Sequence, residues 1–209
     1  MKFRDYQLDI IDKGTEILIR HGFVYLAMEV RTGKTLTSLG IASKLKSQHV
    51  LFVTKKKAIS SIQIDYDIYS PSYSIDIINY ESLHKIKSFY DLVILDEAHS
   101  LGAFPKPSGR TKQVLKIINR CQCRVILLSG TPSPESYSQL YHQVYFCYNN
   151  PFRSYKNFYS FAKHYVNVVQ KKFGTHLVND YKNGKDIILE HLRPYMISYS
   201  QKQAGFRKL

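Results

Sequence analysis

The sequence predicts an α/β fold with a mostly parallel central sheet and helices on both of its faces. Five short apolar runs, each suited to a buried strand, occupy residues 23–28, 49–54, 73–79, 92–95 and 125–128. Stretches of helical character separate these runs, and this alternation is typical of parallel strands joined by crossover helices. Ligands bind such sheets at the carboxyl ends of the strands, so the residues that follow each run are candidates for a site.

Two helices are predicted in the N-terminal quarter of the chain. In the first twenty residues the apolar side chains recur near helical spacing: Tyr6, Ile10, Ile11, Leu18 and Ile19. A second helix is predicted to begin at Lys34, after a glycine-bearing turn, and to end at about Lys46.

The length suits one domain with an appended piece. The 209 residues, 44% of them hydrophobic, can bury a core without disulfides or metals. After about residue 135 the composition changes, and residues 151–209 hold eleven Lys or Arg and three acids, interleaved with tyrosines and phenylalanines. We therefore divide the chain into an α/β domain over residues 1–135 and a basic, aromatic-rich helical appendage over residues 136–209. Helix packing explains the aromatic residues of 141–165 better than base stacking does.

The strong positive charge indicates a polyanionic partner. Thirty Lys and Arg against sixteen Asp and Glu give a net charge of +14, and the pI is about 9.6. Such a charge favours nucleic acid, through phosphate contacts and counterion release. A basic but otherwise ordinary surface is the alternative that the charge alone leaves open.

Other features of the composition exclude several classes of protein. No run reaches the roughly 18 apolar residues of a membrane span, and the first residues lack the apolar stretch of a signal peptide. We therefore expect a soluble, cytoplasmic protein without a membrane partner. Cys121 and Cys123 form a C-x-C pair and Cys147 stands alone, whereas a zinc ribbon needs two spaced pairs. Reduced thiols are expected rather than a metal site.

A phosphate-binding loop is predicted between the first strand and the second helix. The segment Arg31-Thr32-Gly33-Lys34-Thr35 follows a buried strand and opens a helix, as such a loop requires. Backbone N–H groups and the helix dipole favour phosphate there, and Gly33 has no Cβ to block its approach. Lys34 is predicted to reach the β- and γ-phosphates of ATP, and Thr35 to ligate Mg²⁺. The full pattern has a glycine where this chain has Met28.

An acidic pair follows the fourth apolar run. Asp96 and Glu97 lie at the tip of a predicted buried strand, and His99 lies on the following turn. Asp96 is placed to hold Mg²⁺ directly or through water, while Glu97 can orient and deprotonate the attacking water. His99 is predicted to sense the γ-phosphate or to relay its loss. These three residues and Lys34 form the predicted catalytic set, and a surface-exposed acidic turn is the alternative.

Six segments carry a resemblance to a known family: residues 4–7 (Arg-Asp-Tyr-Gln), 27–35, 52–55, 78–83, 96–99 (Asp-Glu-Ala-His) and 128–132. In this order, the last five resemble motifs I, Ia, Ib, II (a DEAH box) and III of superfamily 2 helicases, and the first resembles the element that precedes them. The resemblance is closer to the Swi/Snf-type double-stranded DNA translocases. Residues 152–158 and 192–197 are similar to stretches that follow the first motor domain of the same family, although Ser198 and Tyr199 replace its arginine pair. The chain thus resembles the N-terminal RecA-like domain, a P-loop NTPase fold.

The resemblance implies further site residues. Arg4 and Gln7 would bind the nucleotide, with Gln7 at the adenine edge. The nucleic-acid track would be lined by Thr54, Lys55 and Lys56 after the second strand, and by Asn79, Tyr80 and Ser82 after the third. Motif III would couple hydrolysis to movement through Ser129, Gly130 and Thr131. For the lysines after the second strand, a solvated loop is the alternative.

The resemblance also implies a second RecA-like domain, which supplies an arginine finger across the ATP cleft. After Gln201 the sequence runs only to Leu209, so Arg207 is not predicted to be that finger. Loss of an arginine finger lowers turnover by on the order of 10³–10⁵. The chain alone is expected to bind Mg-ATP weakly and hydrolyse it slowly, and to need a second domain in the full-length protein or a separate chain.

The leading hypothesis is the ATP-binding half of an ATP-driven translocase or helicase, on DNA rather than RNA because of the Swi/Snf-like tail. RNA stays open, because neither the motifs nor the charge distinguish the two. A non-catalytic module that senses nucleotide is the second hypothesis, and a P-loop kinase or generic NTPase is the third. The complete catalytic set disfavours the second, and the elements around Gln7 and Ser129 disfavour the third. The Lys-, Ile- and Tyr-rich composition is typical of an AT-rich genome, such as that of a phage.

Overall fold

The structure, a computed structural model, describes residues 2–206, apart from the side chain of Phe173. Arg207, weighed above as an arginine finger, lies outside this range. In chain order the elements are α1 (Asp5–His21), β1 (Phe23–Met28), α2 (Lys34–Lys44), β2 (His49–Thr54), α3 (Ile59–Tyr69), β3 (Ser74–Asn79), β4 (Leu92–Leu95), α4 (Gly109–Cys121), β5 (Arg124–Leu128), α5 (Gln139–Val144), α6 (Phe158–Tyr165), β6 (Val169–Phe173), β7 (His176–Asp180), α7 (Ile187–Leu192) and β8 (Met196–Tyr199).

Six strands form one sheet in the order β3-β2-β4-β5-β1-β8, and every pairing in it is parallel. Alternate residues of each strand face opposite sides of the sheet. On β1, Phe23 and Tyr25 enter the core shared with α4, α5, α6 and α7, while Val24 and Leu26 enter the core shared with α1, α2 and α3. The predicted α/β fold, mostly parallel with helices on both faces, is confirmed.

The segment beyond residue 135 is helical only in part. It contributes α5, α6 and α7, but β6 and β7 form an antiparallel hairpin, and β8 joins the main sheet beside β1. The predicted helical appendage is therefore confirmed for α5, α6 and α7, and β6, β7 and β8 correct it. The reason is that β8 has four residues at a half-buried sheet edge, and the hairpin is exposed, so neither produces a long apolar run. The division of the chain between residues 135 and 136 stays a prediction.

Several aromatic residues of 141–165 are buried, as the prediction of helix packing requires, whereas Tyr148 and Tyr159 are exposed. Tyr141, Phe158 and Phe161 are at most 2% exposed, and the ring centroids of Tyr141 and Phe161 lie 4.6 Å apart. These rings join the core beneath the sheet.

Two features are absent from residues 2–206. No helix in this range is long and apolar enough to cross a membrane. No group of three or more His, Cys, Asp or Glu side chains in the same range could hold a metal ion. Cys121, Cys123 and Cys147 are free, and burial raises the pKa of the Cys123 thiol to about 12.

Candidate nucleotide site

The predicted site residues meet at the carboxyl edge of the sheet. Residues 29–33 directly follow β1, residues 96–99 follow β4, and residues 129–131 follow β5. These three strands are neighbours in the sheet, in the order β4-β5-β1. A cavity of about 400 Å³ opens at this edge and is lined by Glu29, Val30, Lys34, Glu97, Gly130, Thr131 and Gln201. A larger cavity of about 690 Å³ lies at the opposite, amino edge, and contains none of the predicted catalytic residues.

The loop before α2 has the geometry of a phosphate cradle. The Thr32 hydroxyl donates to the carbonyl oxygen of Glu29 at 2.6 Å, which closes the turn, and Gly33 takes the left-handed conformation with φ +75°. A Cβ at Gly33 would collide with the Gln7 amide. The first turn of α2 has no acidic residue, and Gly33 brings no side chain to cap its N–H groups. These donors are therefore available to an anion, as at other helix N-termini.

The N-terminal residues hold this loop from one side. Gln7 is buried, its Oε1 accepts from the Arg4 N–H at 2.9 Å, and its Nε2 donates to the Gly33 carbonyl at 3.4 Å. The Tyr6 hydroxyl donates to the Thr32 carbonyl at 3.1 Å. Arg4 is exposed, and its guanidinium lies over the ring of Phe206. The structure thus brings Arg4 and Gln7 to the loop, and their contact with the nucleotide stays a prediction.

Asp96 has the environment of a metal-binding carboxylate. Its Oδ2 accepts from the Thr54 hydroxyl at 2.8 Å, and its Oδ1 is buried without a hydrogen-bond partner among residues 2–206. Burial raises the pKa of Asp96, and the Thr54 hydrogen bond and the Lys34 charge oppose that rise. A buried carboxylate oxygen without a donor, beside the helix that begins with Lys34 and Thr35, fits a Mg²⁺ site.

Glu97 and His99 connect Asp96 to the loop after β5. Glu97 adopts a left-handed conformation with φ +53°. Its Oε1 lies 3.5 Å from Lys55 Nζ, and its Oε2 lies 3.4 Å from His99 Nδ1. His99 Nδ1 is also 3.0 Å from Ser129 Oγ, which accepts from the Thr131 N–H at 3.2 Å. Motif II and motif III are therefore in direct contact through His99 and Ser129.

Comparison with known proteins shows the family of the chain. A family model described as the SNF2-related domain matches residues 31–205. The chain belongs to this family. A Caenorhabditis elegans protein, the SWI/SNF-related matrix-associated actin-dependent regulator of chromatin subfamily A-like protein 1 homolog, is 29% identical over 182 residues, which cover 75% of this chain and 26% of that protein.

Two solved structures from Sulfolobus solfataricus share the fold of this SNF2-related domain. The SWI2/SNF2 ATPase core in complex with dsDNA matches with a TM-score of 0.69 at 16% identity, and the SWI2/SNF2 ATPase core domain with 0.70 at 14%. The matches cover 99% and 98% of this chain, but 46% and 45% of theirs. The chain therefore spans under half of the solved chains and about a quarter of the C. elegans protein. The superfamily 2, Swi/Snf-type resemblance is confirmed at the level of the family and the fold.

A buried chain of hydrogen bonds supports motif III of the SNF2-related domain from below. The Tyr25 hydroxyl donates to Gln143 Oε1 at 2.7 Å, and Gln143 Nε2 donates to the Pro132 carbonyl at 2.7 Å. Both side chains are fully buried, and burial raises the pKa of the Tyr25 hydroxyl above its usual range. This chain ties β1 to α5 and to the residue that follows Thr131. Sequence reasoning did not identify Gln143, because no local pattern marks it.

The C-terminal residues form another wall of the cavity that sequence reasoning missed. The Gln201 N–H donates to Glu29 Oε2 at 2.7 Å, and its Nε2 donates to the Val30 carbonyl at 3.0 Å. The Tyr199 ring stacks on Tyr6 with centroids 4.6 Å apart. Gln201 lies just past the tail segment that resembles the family, so no motif pointed to it.

The predicted nucleic-acid residues divide into exposed and buried ones. Lys55 and Lys56 are exposed at the end of β2, whereas Thr54 is buried against Asp96. Asn79 Oδ1 accepts from the Ser82 N–H at 2.9 Å and so starts the short helix over residues 80–85. Tyr80 is 4% exposed, and its hydroxyl donates to the Asp96 carbonyl at 2.6 Å. The hydroxyl of Tyr80 thus links the motif Ib segment to the backbone of Asp96.

Proposed function

We propose that this SNF2-related domain is the ATP-binding half of an ATP-dependent translocase, which couples hydrolysis of Mg-ATP to movement on double-stranded DNA. The observation that carries the proposal is the buried Asp96 carboxylate, with one oxygen unbonded among the described residues, at the sheet edge that also holds Lys34. A carboxylate, a lysine and an uncapped helix N-terminus together suit a metal-bound triphosphate.

Each residue of the site has one task in this proposal. Lys34 and the N–H groups of the phosphate loop bind the β- and γ-phosphates. Asp96 and Thr35 would hold Mg²⁺, which neutralises the charge that develops on the transferred phosphoryl group. Glu97, held between Lys55 and His99, orients and deprotonates the attacking water. Loss of the γ-phosphate then changes the contacts of His99 and, through Ser129, those of motif III.

Double-stranded DNA is the proposed track. The net charge of +14 and the exposed lysines after β2 favour a phosphate backbone. The Swi/Snf-type resemblance and the dsDNA named with the S. solfataricus core favour DNA over RNA. Because the chain spans under half of the solved ATPase cores, we propose that full turnover needs a second RecA-like domain. A cytoplasmic site of action, in the host cell for a phage-encoded protein, belongs to the same proposal.

The test is the ATPase rate of the chain with and without a 30-base-pair DNA duplex. We expect a slow rate that DNA raises, with Glu97→Gln lowering turnover by about 10²–10⁴ because the base is lost. Lys34→Ala is expected to abolish turnover because the phosphates lose their cation. The matched controls are Glu16→Gln and Lys116→Ala, which change exposed residues of α1 and α4.

The outcomes separate the candidate functions. An ATPase rate that DNA raises and duplex RNA does not raise supports the DNA translocase proposal. A rate that only RNA raises would mean that the domain acts on RNA instead. Nucleic-acid binding without any nucleotide binding would replace it with a non-catalytic binding module.

A further inference from the structure

An exposed hairpin extends from the core beside the site. We name residues 169–180, formed by β6 and β7, the basic arm. Its strands pair antiparallel from Val169–Asp180 to Phe173–His176, and Gly174, with φ +60°, allows the tight turn between them. Every described side chain from residue 169 to 179 is exposed, and Leu177 is 65% exposed. No third strand pairs with the arm in the part of the chain that the structure describes.

Hydrogen bonds and a ring contact hold the base of the basic arm, although none of the arm's described side chains belongs to the core. The Asn167 N–H donates to the Asn183 carbonyl at 2.9 Å, and the Ser138 hydroxyl donates to the Tyr181 carbonyl at 2.7 Å. The Tyr181 ring packs edge-on against Phe158, with centroids 5.5 Å apart. An isolated two-stranded hairpin is marginally stable in water. A hairpin that is anchored at its base and exposed along its length therefore suggests an element that contacts a partner.

The position of the base puts the basic arm at the same edge of the sheet as the nucleotide site. Residues 179–182 face residues 102–105 and Glu135 across a cavity of about 370 Å³. Residues 102–105 follow the DEAH box, and Glu135 follows motif III. Ser138, which anchors the arm, lies seven positions after Thr131. With a rise of about 3.4 Å per residue, a five-residue strand extends roughly 17 Å from this edge.

The two faces of the basic arm differ in chemistry. One face carries Val169, Val178 and the Lys171–Asp180 ion pair, which neutralises both charges. The other face carries the cross-strand pairs Gln170–Asn179 and Lys172–Leu177. This face therefore combines two amides, an exposed leucine and a lysine, Lys172, that has no ion pair with any described residue. The Asn179 Nδ2 donates to the Tyr181 hydroxyl at 3.3 Å. Lys182 is a second exposed lysine at the base of the arm, and its N–H donates to Asp180 Oδ1 at 2.9 Å.

We propose that the basic arm is a second nucleic-acid contact of this domain, outside the family motifs, and that its amide-bearing face lies in a groove of the duplex. Lys172 and Lys182 bind phosphates, while Gln170 and Asn179 contact the groove. The major groove, about 12 Å wide, admits a two-stranded β-ribbon, and Asn and Gln are side chains that hydrogen-bond base edges. This inference rests on the proposed function, because it takes as partner the duplex on which the domain moves. A protein partner that adds a strand to the arm is the competing occupant.

The test measures binding of the whole chain to a fluorescent 30-base-pair DNA duplex at several salt concentrations. The double variant Lys172→Gln/Lys182→Gln is compared with Lys13→Gln/Lys46→Gln, which removes two exposed lysines beside the opposite face of the sheet. The logarithm of the binding constant falls linearly with the logarithm of the salt concentration, and each phosphate contact contributes about 0.9 to the steepness of that line. The arm variant loses two such contacts, so its line is expected to be less steep by about 1.8. Its affinity at 0.1 M salt is expected to fall by on the order of tenfold or more. The control pair is expected to change both quantities far less.

Three results would overturn the inference about the basic arm. Unchanged affinity and slope in the arm variant, with normal DNA-stimulated ATPase, would refute the arm and leave the proposed function standing. An equal loss in the control pair would mean that any surface lysine has the same effect. No binding of DNA by the unmodified chain would refute both the arm and the proposed translocase.

Photo-crosslinking tests the same contact without removing charge. A photoreactive amino acid at Leu177 is expected to crosslink to the duplex, whereas the same group at Leu8, an exposed leucine of α1, is not. Crosslinks from position 177 to protein in place of DNA would support strand addition by a protein partner and overturn the proposal.

Discussion

Removal of one hydroxyl group, in Tyr25→Phe, tests the buried chain beneath motif III. The Tyr25 hydroxyl donates to Gln143 Oε1 at 2.7 Å, and both side chains are 0% exposed. Phenylalanine fills almost the same space, so the change is confined to the hydrogen bond and leaves a buried acceptor without a donor. Such an orphaned group lowers the free energy of unfolding by about 1–3 kcal/mol. In a chain of this length, each kcal/mol lowers Tm by about 2–4 °C.

The assay is thermal and urea unfolding of the unmodified chain, Tyr25→Phe and a control, Tyr159→Phe. Tyr159 is 45% exposed, so its hydroxyl can bond to water before and after folding. The control is expected to change the free energy of unfolding by less than about 0.5 kcal/mol. Affinity for Mg-ATP should stay unchanged in Tyr25→Phe, because neither Lys34 nor Asp96 contacts the lost hydroxyl.

A double-mutant cycle with Gln143→Leu isolates the bond itself. If Tyr25 and Gln143 interact directly, the double variant is less destabilised than the sum of the single variants, by about 0.5–3 kcal/mol. Additive effects, or a Tyr25→Phe variant as stable as the Tyr159→Phe control, would refute the reasoning.

Three further predictions follow from single positions. In Gly33→Ala, the added Cβ meets the Gln7 side-chain amide at a position with positive φ. The affinity for Mg-ATP, measured by calorimetry, should therefore fall at least several-fold. The control Gly109→Ala places its Cβ in open space and should not change the affinity. Tyr80→Phe removes the donor to the Asp96 carbonyl, so urea unfolding should show a loss of about 1–3 kcal/mol, and a neutral result would contradict that bond. Burial lowers the pKa of His142 from 6.5 to about 4, so the unfolded chain binds this proton first as the pH falls. The free energy of unfolding should therefore drop by up to about 3 kcal/mol between pH 7 and pH 4, and His142→Gln should flatten this part of the profile in urea titrations; an unaltered profile would count against it.

Much of the fold could be predicted because its signals are local. The sequences of β1, β2 and β4 are apolar runs, because a parallel strand that is covered on both faces has few polar positions. The phosphate loop and the acidic pair directly follow such runs, and parallel strands bring their carboxyl ends together. Lys34 and Asp96 are 62 positions apart in the sequence, and the alternation of strands and helices alone predicts that they lie close together.

The rest depended on contacts that no local pattern encodes. Tyr25 and Gln143 are 118 positions apart, and Glu29 and Gln201 are 172 apart, so each pair is joined only by the tertiary fold. The strand β8 was missed because four half-buried residues at a sheet edge do not form an apolar run. The basic arm was missed because its exposed strands mix lysines with apolar residues, and this pattern resembles the polar face of a helix.

The most direct test of the site is equilibrium binding of a fluorescent ATP analogue, with Mg²⁺ and with EDTA. The account predicts that Mg²⁺ tightens binding to the unmodified chain, that Asp96→Asn abolishes this Mg²⁺ dependence, and that Asp9→Asn, an exposed acid on α1, keeps it. Equal binding with and without Mg²⁺ in the unmodified chain, or full Mg²⁺ dependence in Asp96→Asn, would contradict the assignment of Asp96 to the metal and with it the proposed ATPase.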